Sequence, residues 1–123
     1  MANPNLASIS GVYAKNAVVA CSTTTEVLLV SNAASSGKAM LIDGVVVANA
    51  QGGVSTVTLN RYEADSNTGT AYPIVKSAAV PNGYTLSAVT KDQGFSLLEG
   101  QSIYVSVSSG SAVAVHATWK ELS

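Results

Sequence analysis

The sequence predicts an all-β protein, an antiparallel β-sandwich that is jelly-roll-like and has about eight strands. Three observations lead to this prediction. Ile103, Val105 and Val107 alternate strictly with polar residues, which is typical of a half-buried strand. Turn signals built from Gly, Pro, Asn and Asp recur at regular spacing. No segment shows the periodicity of a helix. The 123 residues are long enough for one domain, residues 1–123, with two packed layers around a single core.

The first half of the chain contains an arm and four predicted strands. Residues 1–7 are expected to form an extended N-terminal arm, because Asn3, Pro4 and Asn5 offer little apolar surface to hold them to a domain. Strands are predicted over residues 9–14, 25–31, 38–49 and 54–63. In the last of these, Val57 and Leu59 are expected to face inward and Thr56, Thr58, Asn60 and Tyr62 outward.

The segment 38–49 is the longest apolar stretch, and both of its faces are apolar. This pattern is typical of a central strand or of a strand covered by a partner subunit. Asp43-Gly44 has the composition of a two-residue hairpin turn. We favour a bulge within one long strand, because a hairpin at this point would leave arms of only a few residues.

The second half contains four further predicted strands. Residues 65–69 form a hairpin loop, and residues 70–77 return as a strand whose Pro73 indicates a sheet edge or a bulge. Pro81-Asn82-Gly83 is a turn with proline at its second position, and it precedes a strand that carries Leu86 and Ala88 on one face. Leu98-Glu99-Gly100-Gln101 is another turn before the alternating strand 102–108. The last strand spans 112–121, with Val113, Val115, Ala117 and Trp119 expected to face the core.

Composition limits the classes of function. Charged residues make up only 11% of the chain, against roughly 25% in ordinary soluble domains, and the net charge is −1. A neutral surface rich in Ser, Thr and Asn is suited to a protein that functions as a subunit of a stable assembly. Without a basic cluster, nucleic acid is not an expected partner. The most apolar window, 39–48, is short and contains Asp43, and the N-terminus does not resemble a signal peptide, so no membrane association is expected.

No constellation of catalytic or metal-binding residues is evident. Cys21 and His116 are single residues of their type, so no intrachain disulfide forms, and these two residues alone cannot make a zinc site. His116 is expected on the outer surface or at a subunit contact. Asp65, Asn67 and Gly69 resemble part of a calcium loop but lack its further ligands, so a hairpin loop is the favoured interpretation. The sequence predicts a protein that is not an enzyme and uses no cofactor.

Four segments between about residue 25 and residue 121 form one recognisable order of strands and turns: Thr25-Glu26-Val27-Leu28-Leu29, Val47-Ala48-Asn49, the segment from Val80-Pro81-Asn82-Gly83 to Leu86, and the segment from Leu98-Glu99-Gly100 to Val105. In this order the sequence resembles small β-sandwich virion proteins of tailed bacteriophages. The position after Gly100 is often acidic in those proteins and is Gln101 here. The resemblance includes no catalytic or ligand-binding residue.

The resemblance implies a virion structural protein present in many copies. The first expectation is a capsid decoration (cement) protein that is homo-oligomeric, made in the host cytoplasm and bound to the major capsid protein or other virion subunits. A neck or tail accessory protein is the alternative within this class. A carbohydrate-binding module, with Tyr62 and Tyr72 beside the 65–69 loop, is the alternative outside it. The candidate interface residues are Asn3, Pro4, Asn5, Tyr62, Tyr72 and Tyr104.

Overall fold

The computed structural model of the chain describes residues 8, 10–21, 24–50, 53–108 and 113–123. These residues form nine strands and one short 3-10 helix. In chain order the elements are β1 (Val12–Cys21), β2 (Val27–Asn32), β3 (Ala39–Asn49), β4 (Ser55–Tyr62), β5 (Tyr72–Val80), β6 (Tyr84–Val89), the 3-10 helix (Lys91–Gln93), β7 (Phe95–Leu97), β8 (Gln101–Val107) and β9 (Val113–Leu122). In this part of the chain no helix has the length and apolar character needed to cross a membrane.

The strands form two antiparallel sheets that pack together. Sheet 1 has the order β1-β9-β3-β6, with β7 also paired to β3, and sheet 2 has the order β2-β8-β4-β5. Without the three-residue β7, the pairs are nested: β1 with β9, β2 with β8, β3 with β6, and β4 with β5. An antiparallel hairpin rolled up in this way is a jelly roll. The predicted fold class is therefore confirmed.

The core lies between the two sheets and is lined by the alternating positions that the sequence indicates. Val57, Leu59, Ile103 and Val105 of sheet 2 are fully buried. Val113, Val115 and Ala117 of β9 are buried opposite them, as predicted. Trp119, expected to be a core residue, is only partly buried and packs against the rim of this core.

Two local predictions about strand irregularities are confirmed. The pairing of β3 with β9 shifts by one residue between Ile42 and Gly44, so Asp43 is a bulge within one long strand, and β3 is central in its sheet. β5, which contains Pro73, is an edge strand of sheet 2, and its pairing with β4 shifts twice. Proline has no N–H to donate to a ladder, which explains why it is tolerated at an edge.

Other local predictions are corrected by tertiary pairing. The first strand runs over Val12–Cys21 rather than 9–14, because each of its residues has a partner on β9. The short strand β7 and the 3-10 helix before it were not predicted. In β2, a bulge between Leu28 and Val30 places both Leu29 and Val30 in the core, so strict alternation fails there.

The turn at residues 81–84 is displaced by one position from the prediction. The backbone N–H of Tyr84 donates to the carbonyl of Pro81 at 3.1 Å, so Pro81 occupies the first turn position rather than the second. Gly83 then occupies the third position with φ of 81°, where a side chain would be strained. This turn connects β5 of sheet 2 to β6 of sheet 1, so it joins the two layers.

Candidate functional site: the outer face of sheet 1

The outer face of sheet 1 consists of small, uncharged side chains in register across four strands. Paired residues in an antiparallel sheet point to the same side, so the ladder defines which side chains are neighbours. We call the following three rows the neutral face: Asn16, Thr118 and Gly44; Val18, His116, Val46 and Ser87; and Ala20, Ala114, Ala48 and Thr85.

The neutral face is accessible to solvent across its whole width. Its residues are exposed or half-buried, whereas their neighbours Val45, Val47 and Val115 on the other side of the sheet are fully buried. Val18 is 63% exposed, which is high for a β-branched apolar residue in a strand. The two sides of one sheet thus differ as expected for a sandwich with one solvent-facing surface.

Charge is confined to one end of this surface. The Lys120 ammonium lies 3.5 Å from the Asp43 carboxylate, beyond the row that contains Asn16. Within the three rows, His116 is the one titratable residue, and it lies between Val18 and Val46. Its exposure confirms the predicted placement on the outer surface. A surface with so little charge does not repel other copies of itself or a neutral partner.

The outer face of sheet 2 is more polar and carries Tyr62 and Tyr104, two of the three tyrosines that the sequence singled out. The Tyr62 hydroxyl donates to Glu26 Oε1 at 2.5 Å, and Asn60 Nδ2 donates to Glu26 Oε2 at 3.0 Å. Tyr104 meets the Tyr62 ring edge-on, with centroids 5.7 Å apart. The hydrogen bond to Glu26, aided by burial and by the Glu26 charge, raises the pKa of Tyr62 to about 12.

These contacts change the role expected for Tyr62. It lies on the outward side of β4, as alternation predicts, but it is only 5% exposed. The following loop also folds back over the sheet, since Ser102 Oγ donates to the Ala64 carbonyl at 2.7 Å. Sequence alternation assigns a face but does not reveal what covers that face, so the burial of Tyr62 was not foreseeable from its position in β4.

The two tyrosines of the expected sugar platform lie on opposite sides of sheet 2. Tyr72 pairs with Arg61, so it shares the side of Arg61 rather than that of the next residue, Tyr62. Tyr72 is 53% exposed, and Tyr104 is half-buried against Tyr62. The paired aromatic surface on which the carbohydrate-binding alternative depended is therefore not formed. Asn3, Pro4 and Asn5 lie outside the described residues.

The described residues contain no group of three or more His, Cys, Asp or Glu side chains arranged to hold a metal ion. Cys21 is buried, with its Sγ 3.6 Å from the Val105 carbonyl.

A cavity of about 220 Å³ opens beside the β3 bulge, between Asp43, Lys91 and Phe95. It is smaller than the roughly 300–1,000 Å³ of typical small-molecule pockets. The neutral face extends over more of the protein surface than this cavity does, so we take it as the candidate functional site.

The fold and this surface define a jelly-roll β-sandwich with a neutral sheet face. No protein-family model and no curated protein matches the sequence. A chain from the Bacillus endospore appendages, described as a novel family of disulfide-linked pili, has a TM-score of 0.50 and 11% identity, over 99% of this chain and 95% of its own. A chain from the structure of infectious bursal disease virus, Gx strain, has a TM-score of 0.51 and 10% identity, over 91% of this chain and 31% of its own. This chain therefore spans about a third of that viral chain. At such low identity these similarities show a shared β-sandwich fold alone.

Proposed function

We propose that the protein is a non-enzymatic structural subunit of a tailed-bacteriophage virion, and specifically a capsid decoration protein. It would bind to neighbouring subunits of an assembled shell and stabilise them through buried surface area. The observation that carries this proposal is the neutral face, whose three rows extend across four strands and contain no acidic or basic residue other than His116. The sequence resemblance to virion proteins supports the choice of assembly.

The dimensions of the neutral face set the expected strength of one contact. Three rows about 6.6 Å apart across four strands about 4.8 Å apart cover roughly 400 Å². A standard protein interface buries roughly 800 Å² on each partner, so this face supplies about half of one. We therefore expect stable attachment to need a second contact, and the N-terminal arm that the sequence predicts is the first candidate.

Two matched substitutions test the proposal. Ala114→Glu places a carboxylate in the third row of the neutral face, between Ala20 of β1 and Ala48 of β3, where a docked partner would desolvate it. Ala79→Glu places the same group on the exposed outer side of β5 in sheet 2. Each protein is co-sedimented with purified shells that lack the decoration protein. We expect Ala114→Glu to weaken attachment by about tenfold or more, equivalent to at least 1.4 kcal/mol, and Ala79→Glu to attach like the unmodified protein.

The same assay distinguishes the alternatives. Attachment of the unmodified protein to isolated tails or necks, and not to shells, would move the assignment to an accessory protein of those structures. Equal weakening by the two substitutions would show that the neutral face is not the docking surface. Absence of binding to any virion component would overturn the proposed function.

A further inference from the structure

The described strands leave four sheet edges without a neighbouring strand: β1 on one side of sheet 1, β6 with the three-residue β7 on the other side, and β2 and β5 in sheet 2. An open edge presents unpaired backbone N–H and C=O groups, and natural proteins usually protect such edges with proline, bulges or short strands. Three of these edges are protected in that way. β2 and β6 have six residues each and contain a bulge, and β5 contains Pro73 and two register shifts.

β1 has none of these protections. It is ten residues long, and its register with β9 runs without interruption from Val12 opposite Leu122 to Cys21 opposite Val113. It contains no proline or glycine, and Lys15 is its single charged residue. A long, regular and nearly uncharged edge strand is the kind of edge to which a further strand adds by backbone hydrogen bonding.

The side chains of β1 also lack cover. From Val12 to Asn16 every residue is exposed, so residues on both sides of the strand are open to solvent. Val12 and Tyr13 are each 56% exposed although they are large and apolar. In an internal strand of a sandwich, neighbours on both sides would cover part of these surfaces. Over residues 12–16, β1 is therefore exposed both along its open backbone edge and on its two side-chain faces.

We propose that β1 pairs antiparallel with β1 of a second copy of this chain, joining sheet 1 of both copies into one continuous sheet. This interface uses the backbone edge of β1, whereas the docking proposed above uses the outward side chains of sheet 1, which include Asn16, Val18 and Ala20 of β1. The pairing therefore does not depend on the virion assignment. A two-fold interface uses the same surface on both copies, so one unprotected edge is sufficient to form it.

The sequence of β1 favours one register for this pairing. Continuous inner and outer faces require residues of like orientation to be opposite each other. A two-fold axis at Asn16 satisfies this condition and places Tyr13 opposite Val19 of the second copy, an aromatic and β-branched pair of a stabilising kind. Lys15 is then opposite Ala17 of the second copy. An axis at Lys15 would place two ammonium groups opposite each other, which disfavours that register.

Hydrogen exchange of the backbone amides tests the pairing directly. In an antiparallel edge strand, alternate residues direct their N–H groups toward the neighbouring strand and toward the open edge. We expect the outward-directed amides of residues 12–20 to exchange about tenfold or more slowly at high protein concentration than on dilution. Sedimentation on the same samples should show a dimer that dissociates over the same concentration range.

Two neighbouring proline substitutions separate pairing from folding. Asn16→Pro and Ala17→Pro each remove one N–H, and because N–H direction alternates, one is lost from the β9 ladder and the other from the open edge. We expect one of the two variants to keep the melting temperature of the dilute monomer and to lose the dimer. Ala114→Glu, which changes the neutral face and not this edge, should remain dimeric.

The outcome of each measurement is decisive. The pairing is overturned if the unmodified protein is monomeric at all concentrations, or if the outward-directed amides are equally protected in monomer and dimer. It is also overturned if both proline variants remain dimeric. Loss of shell attachment in Ala114→Glu with an intact dimer bears on the neutral face alone. If the dimer forms but neither the unmodified protein nor any variant attaches to shells, the decoration role is refuted and the β1 pairing is retained.

Discussion

Val105 offers a test of the face assignment in β8, because its neighbour in the chain has the opposite environment. Val105 is fully buried and pairs with Val27 on one side and Leu59 on the other. Ser106, the next residue, lies on the outer side of sheet 2 and is half-buried. Substituting each by alanine removes side-chain atoms from the core in the first case and from the surface in the second.

The expected difference is large compared with experimental error. Val105→Ala removes two methyl groups from full burial, which costs about 1.6 kcal/mol in transfer free energy. The residual cavity raises the expected loss to about 2–3 kcal/mol. For a chain of this size, that loss lowers the melting temperature by about 10 °C. Ser106→Ala should change the free energy of unfolding by less than about 0.5 kcal/mol.

Thermal and urea unfolding of the three proteins, monitored by circular dichroism, measures this difference. A third variant, Val105→Asp, buries a carboxylate at a cost of several kcal/mol out of a total stability of about 5–15 kcal/mol, so we expect it not to fold. Equal melting of Val105→Ala and Ser106→Ala would refute the inward assignment of Val105 and, with it, the packing of sheet 2 against sheet 1.

Two further predictions concern polar side chains that the fold buries. Asn32 Nδ2 donates to the Lys38 carbonyl at 2.9 Å and to the Leu97 carbonyl at 3.1 Å, so Asn32→Ala removes two hydrogen bonds from a buried position. We expect a loss of about 2–3 kcal/mol in the free energy of unfolding. Asn67→Ala in the exposed 63–71 loop should melt like the unmodified protein, and a similar loss in both variants would contradict the role of Asn32. Tyr62→Phe removes the hydrogen bond to Glu26 and should cost about 1 kcal/mol at neutral pH. Because the pKa of Tyr62 is raised to about 12, from about 10 in the unfolded chain, its stabilising contribution is complete below pH 10 and is lost as the pH rises through 12. The stability difference between the two proteins should therefore shrink over this range, and a constant difference would show that folding does not raise the pKa of Tyr62.

The neutral face shows how far sequence patterning can predict a surface that is built from several strands. Low charge predicts a protein suited to assembly, and alternation in β9 places His116 outside and Val115 inside. Neither observation shows that Val18 and Val46 flank His116 from two other strands, because their positions in the chain are far apart. A surface made from several strands exists only once their order and register are formed.

The tyrosines show the opposite case, in which a pattern indicated a surface that the fold does not make. Tyr62 and Tyr72 lie on either side of one hairpin loop, so their proximity in sequence suggested a shared platform. The register of β4 with β5 places them on opposite sides of the sheet, and Glu26 and Tyr104 cover Tyr62. A difference of one residue in register is sufficient to exchange the two sides of a strand.

The sequence by itself determined the all-β class, the inward sides of β4, β8 and β9, the bulge at Asp43 and the edge position of the strand that contains Pro73. These features depend on short-range properties: side chains alternate along a strand, and proline lacks an N–H to donate. Only the tertiary structure decided which strands pair, the full length of β1, the existence of β7 and the burial of Asn32 and Tyr62. Each of these features depends on residues that are distant in the sequence. For example, β1 pairs with β9, which lies at the other end of the sequence. Local patterning contains no information about which of several compatible strands becomes the neighbour, and that choice follows from packing the whole sandwich.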